Sequence, residues 1–160
     1  MDTAFRGKGS LKTGGRWHHK GTQVAYASEH PGVAVLEKLV WLGSYEMARE
    51  SSYVLLPLHL NPTEHLETLD VLTLPDDWDT FPHSEATRSL GTRWFEEERS
   101  VVLAVPSAPL GVLGRSAPSA VLPVAKNYLI NPFHPDFHDL ERGEPVSFSW
   151  DARLLKRMQG

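Results

Sequence analysis

The sequence predicts an α+β fold in a single domain over residues 1–160, and three observations carry that prediction. Strand-like runs outnumber helical ones. Strands and helices do not alternate as βαβ units would require. The 160-residue length suits one hydrophobic core.

Residues 1–15 have little apolar periodicity and read as loop. Residues 24–28 form a short strand, and a helix begins at Ser28 or Glu29 with Pro31 in its first turn, where proline is tolerated. That helix runs to about Leu42, and Gly43 ends it. Residues 53–60 make a second strand, in which Pro57 marks an edge or a bulge. Residues 66–74 give a further short strand, followed by a loop over 75–82 with Trp78 as its hydrophobic anchor. Residues 84–98 fit a helix whose apolar side is Leu90, Trp94 and Phe95 and which Gly91 weakens. Residues 100–105 are strongly β-forming and stop at Pro106. A proline- and glycine-rich loop spans 106–123, residues 127–130 form a strand, and residues 145–150 alternate as the last one.

Composition excludes several classes. There is no cysteine, which removes disulfides, thiolate chemistry and cysteine-ligated metals. No apolar run reaches the ~18 residues of a membrane span, and no signal-peptide pattern opens the chain. A cytoplasmic location away from the membrane fits both. The net charge of −4 argues against direct nucleic-acid binding. Within residues 1–28, however, Arg6, Lys8, Lys12, Arg16 and Lys20 face a single acid, Asp2. One basic, glycine-rich segment on an acidic body suits a small anion, or else a solvated N-terminus.

Three residues between Gly14 and Glu37 stand out. At about 100° per residue, Val33, Leu36 and Val40 share a helix face, and Glu37 falls in the middle of their arc. An inward carboxylate needs a partner, a proton or a ligand; otherwise Glu37 snorkels out or pairs with a cation. Arg16 follows two glycines that permit tight loop geometry. Its planar fork matches phosphate oxygens two at a time, although an idle loop arginine is an equal alternative. Tyr26 lies within the first strand. His18 and His19 flank Arg16, and either can line a site there or face solvent.

Other patterns carry less. Gly7 to Ser10 lacks the phosphate-loop spacing. The run H-P-D-F-H-D over residues 134–139 has metal-ligand types, but its proline spoils a helical pair, so no metal is expected. Ser107 and Ser119 sit in V-P-S-A and A-P-S-A at the two ends of the proline-rich loop. Neither lies in a G-x-S-x-G elbow.

Taken in order, G-G-R-W-H-x-K-G-T-x-V-x-Y-x-S, a helical L-E, V-P-S-A, N-Y-L-I-N-P-x-H-P-D-F and a D-x-R-L ending resemble the RES domain. This is the toxin half of bacterial Xre–RES toxin–antitoxin systems, and the match spans roughly residues 5–155. The resemblance implies a fold like that of ADP-ribosyltransferase toxins, with NAD as substrate and no separate cofactor. It also implies cleavage of the nicotinamide–ribose bond by hydrolysis or phosphorolysis, or else transfer of ADP-ribose to a protein. A non-catalytic binding module on the same fold is the reading from another class.

By the same resemblance Glu37 is catalytic, Arg16 clamps the pyrophosphate and Tyr26 stacks on or hydrogen-bonds beside the nicotinamide. His18 stands at a substrate-binding position where asparagine is common. The family serine falls on Ser107, which keeps the strand-end context, or on Ser119, which keeps the short distance to Asn127. The implied partner is an Xre-type helix-turn-helix antitoxin. A homo-oligomer is left open.

Overall fold

The structure, a computed structural model, describes residues 4–41, 53–110 and 125–157. At its centre lies strand β5 (Val102–Pro106), every residue of which is buried. The run V-L-A-V-P combines β-branched and small apolar side chains, which pack on both faces of a covered strand. Antiparallel to it runs β6 (Lys126–Ile130), and β1 (Ala25–Ser28) pairs antiparallel with β6. On the far side β4 (Leu66–Thr68) pairs with β5 in parallel, giving the sheet order β1-β6-β5-β4.

Register decides which side chains share a face, because residues directly opposite across strands point the same way. Ala25, Ile130 and Val102 form one row, on the face where Phe5, Phe137 and Leu140 pack. Leu103, Leu129 and Val105 point to the opposite face, against Trp17, Trp78 and Trp94. Tyr26 is opposite Leu129, and Ser28 is opposite Asn127, so both belong to this second face. The polar pair Ser28 and Asn127 therefore lies at one end of this face.

Two helices pack on this face, one at the Ser28 and Asn127 end and the other against Leu129. Helix α1 (Pro31–Trp41) opens with proline in its first turn, where the missing N–H is no loss. The other long helix covers Glu85–Glu96, with Ser84 at its N-cap and Trp94 fully buried. Gly91, expected to weaken this helix, is required there by packing. A Cβ there would sit 1.8 Å from the carbonyl oxygen of Trp17, so glycine is what lets the 14–20 loop lie flat against the helix. That loop is held by His19 N–H donating to Thr92 Oγ1 at 2.9 Å and by Arg88 Nε donating to the Gly15 carbonyl at 3.2 Å.

Several elements differ from expectation for local reasons. The run 53–60 is two strands, β2 (Tyr53–Leu55) and β3 (Leu58–His59), in separate two-stranded sheets. Pro57 divides them; having no N–H to give, it only accepts, from Gly143 N–H at 3.0 Å. Their antiparallel partners are β8 (Val146–Phe148) and β7 (Glu141–Arg142). The strand from Leu66 stops at Thr68, because the Asp70 carboxylate accepts from Leu72 N–H at 2.9 Å and caps a 3₁₀ turn over Val71–Thr73.

Short helices at Pro62–His65 and Ala152–Arg157 were not legible from periodicity. The N-terminal stretch is not all loop either, since Ala4–Arg6 is a 3₁₀ turn that puts Phe5 into the core. The H-P-D-F-H-D run is another 3₁₀ helix, Pro135–Asp139. His134 caps it by accepting from Asp136 N–H at 3.2 Å, and Phe137 is buried.

Candidate active site

Glu37 projects from α1 onto the polar end of the sheet. Its Oε1 accepts from Ser107 Oγ at 2.7 Å and from Asn127 Nδ2 at 2.5 Å. The inward carboxylate that helix spacing left ambiguous is therefore paired, with two neutral donors instead of a cation. Ser107 is fully buried one residue beyond β5, and its N–H donates to the Ala125 carbonyl at 2.8 Å, which fixes the backbone at the strand end. Of the two serines considered, Ser107 is the one brought to the acid. Ser119 lies outside the described residues.

Arg16 reaches across the chain to the 75–82 loop. Its Nη1 donates to the Trp78 carbonyl at 2.7 Å and to the Thr80 carbonyl at 2.9 Å. Trp78 is buried against Trp17, with ring centroids 6.1 Å apart, so the anchoring role expected for it holds. One arm of the arginine fork is thus spent on protein carbonyls, and no described residue takes a hydrogen bond from Nε or Nη2. Burial lowers the guanidinium from its ordinary value, against the opposing pull of Asp79, Glu37 and Tyr26. Arg16 and Glu37 are close enough to interact electrostatically but form no ion pair with each other, and both act on Tyr26.

Tyr26 is open on one side and closed on the other. The residue is 45% exposed, yet its hydroxyl is enclosed beside His18. Burial, helped by the Glu37 carboxylate, raises the phenol above its ordinary value, while Trp17 and Arg16 pull the other way. A neutral phenol with an exposed ring face is a stacking platform.

His18 is 3% exposed, against the solvent-facing alternative. Its Nε2 faces the Thr13 carbonyl at 3.3 Å, and a carbonyl can only accept, so Nε2 carries the proton. Nδ1 then accepts from the Tyr26 hydroxyl at 2.7 Å. Gly15 makes room for this pair, because a Cβ there would lie 2.6 Å from His18 Cε1 and 3.1 Å from Tyr26 Oη. His19 instead faces Ser89 at 3.3 Å and Glu85 at 3.4 Å, on the helix that backs the loop.

Burial lowers the His18 pKa from 6.5, with smaller pushes from His19, Arg88 and His83. Below pH 6.5 the unfolded chain then binds a proton that the folded one resists, so stability falls as pH drops through that range. The melting temperature should therefore decrease between pH 7 and 5.5. In His18→Asn that slope should flatten, with the remainder owed to His83, whose pKa burial also lowers. An unchanged slope would remove His18 from this account.

Sequence reasoning named Arg16, His18, Tyr26, Glu37 and Ser107, and all five lie on one side of the sheet. It missed Asn127 and Ser28 as site residues. Asn127 is buried and bridges Ser28, whose Oγ donates to Asn127 Oδ1 at 2.6 Å, to Glu37. Both stand in the motifs that carry the resemblance, Ser28 closing Y-x-S and Asn127 opening N-Y-L-I-N-P, but local pattern alone reads either as a turn residue. Two cavities of about 380 Å³ open elsewhere. One lies behind the sheet between Ala27, Leu58, Val102 and Tyr128, the other beside Phe95 and Phe133, and neither is lined by Arg16, Tyr26, Glu37 or Ser107. Both lack a pair of opposed charges of the kind seen at Arg16 and Glu37, so the chemistry is assigned to the polar cluster and not to the larger hollows.

Comparison with known proteins gives a consistent set of relatives. The family model described as RES domain matches residues 1–151. A protein named Toxin Res from Photorhabdus laumondii is 33% identical over 98% of this chain and 91% of its own length. A Sphingobium protein named Prs ADP-ribosylating toxin is 30% identical over 94% of this chain and 86% of its own. Among solved structures, a chain of the M. tuberculosis MbcT–MbcA toxin–antitoxin complex superposes with a TM-score of 0.65, covering 96% of this chain and 80% of that one. At 12% identity that likeness speaks to the fold alone.

Proposed function

The chain belongs to the RES domain family, and we propose that it is a toxin enzyme that breaks the nicotinamide–ribose bond of NAD. The observation that carries this reading is the pairing of Glu37 with Ser107 opposite a half-committed Arg16 fork, with the open face of Tyr26 nearby. Such a site can hold a diphosphate, a flat ring and a sugar together.

In the reaction, the bond from ribose C1′ to the pyridinium nitrogen breaks with its electron pair going to nitrogen. Neutral nicotinamide leaves, and positive charge develops on the ribose, as in other glycoside cleavages. Water or phosphate then bonds to C1′, and the proton it sheds passes to solvent or to a carboxylate. Nicotinamide is a good leaving group, so orientation and charge stabilisation are what the protein must supply. Arg16 would offer Nε and Nη2 to the diphosphate, Tyr26 would stack on the nicotinamide, and Glu37 would accept from a ribose hydroxyl and offset the ribosyl charge.

Transfer of ADP-ribose to a protein is the second reading. It is favoured by the relative named as an ADP-ribosylating toxin. We further propose a cytoplasmic site of action, where NAD is available, and an Xre-type helix-turn-helix antitoxin as partner. The relatives named as toxins are bacterial, and no helix among the described residues is long and apolar enough to cross a membrane.

The test is to follow adenine-labelled NAD with the chain, in the presence and absence of phosphate. Free ADP-ribose marks hydrolysis, its 1″-phosphate marks phosphorolysis, and label on protein moves the assignment to transfer. Binding of NAD without nicotinamide release would instead identify a non-catalytic module.

A further inference from the structure

Glu37 has two oxygens, and the fold treats them unequally. Oε1 receives both Ser107 and Asn127, while Oε2 takes no hydrogen bond from any described residue. We propose that Ser28 and Asn127 are positioning residues that fix this asymmetry, a two-step relay that commits Oε1 to the protein and leaves Oε2 to the substrate. The proposal rests on the NAD-cleaving reading for what the substrate is, but not for the relay itself.

The direction of every bond in the relay follows from donor chemistry. A carboxylate only accepts, so Asn127 must turn its Nδ2 toward Glu37. Its Oδ1 then faces Ser28, which must donate, as the 2.6 Å contact from Ser28 Oγ allows. Without that hydroxyl Glu37 alone orients the amide, Oδ1 loses its donor, and the side chain is held in place less firmly.

The backbone makes the relay stiff. Asn127 sits on β6 between two partners, opposite Ser28 on β1 and opposite Val105 on β5. The sheet itself needs neither side chain, since its ladder uses only main-chain groups. Chains of aligned donors also polarise one another, so Ser28 strengthens the bond Asn127 gives to the acid.

Three variants test it. Ser28→Ala should lower kcat about 10-fold, the effect of one lost buried hydrogen bond, with KM for NAD nearly unchanged. Ser28→Thr keeps a hydroxyl and should restore kcat. Asn127→Asp replaces the donor with a second carboxyl, so its activity should recover on acidification, once one of the pair carries a proton. A residue that served only the fold would alter the melting temperature without producing that acid-shifted profile.

Hydrogen exchange of the ¹⁵N-labelled Asn127 side-chain amide reads the relay independently of turnover. Exchange should speed up in Ser28→Ala, where Asn127 Oδ1 has lost its donor, and slow again in Ser28→Thr. If the parent chain releases no nicotinamide, the enzymatic reading fails by itself and this exchange still decides the relay. Identical amide exchange in parent and Ser28→Ala, with a pH profile of Asn127→Asp that matches the parent's, would overturn it.

Discussion

Glu37→Gln should reduce nicotinamide release by about 100-fold to 1000-fold, the range seen when a group aimed at transition-state charge is lost. The structure makes this exchange unusually clean. The amide oxygen of glutamine can take the place of Oε1 and accept from Ser107 and Asn127 as the carboxylate does. The amide nitrogen then occupies the Oε2 position, where no described residue bonds. Packing and the polar network are retained, and only the negative charge of the side chain is removed. The melting temperature should therefore stay close to that of the parent while turnover collapses. Equal turnover in the two proteins would take Glu37 out of the mechanism.

Arg16→Ala should have the second largest effect, and on two properties at once. Loss of the free half of the fork should raise KM for NAD and lower kcat/KM by about 100-fold. Loss of Nη1 should also release the Trp78 and Thr80 carbonyls, 62 and 64 residues away, and destabilise the fold by ~1–3 kcal/mol. Arg16→Lys separates the two roles. One ammonium can satisfy a carbonyl but cannot present a fork to a diphosphate as well, so its melting temperature should recover further than its KM. Thermal unfolding and steady-state kinetics on the same preparations measure both. A lysine variant that binds NAD like the parent would show that the fork is only a loop anchor.

What the sequence revealed divides along a physical line. Glu37 was legible because a helix repeats on a short period, and one acid in an apolar arc is visible without knowing what lies opposite. The central strand was legible for a similar local reason, since residues 100–105 have strong β propensity and a proline that stops them. The partners of Glu37 were not, because Ser107 and Asn127 reach it across 70 and 90 residues of sequence. Only the register of β5 and β6 brings them together. Arg16 was read as a ligand clamp, but its attachment to the 75–82 loop depends on where Trp78 buries itself. Gly91 was read as a helix flaw because helix propensity is a local quantity, whereas its use is a contact with Trp17 from another part of the chain. Resemblance to a known family supplied the roles; the fold supplied the hydrogen bonds that make those roles chemically coherent.

The most direct measurement is the amount of nicotinamide formed against NAD consumed by the purified chain, with Glu37→Gln run beside it. The account predicts one nicotinamide for each NAD lost, and almost none from the variant. NAD that survives intact with the parent, or that disappears equally fast with both proteins, would contradict it.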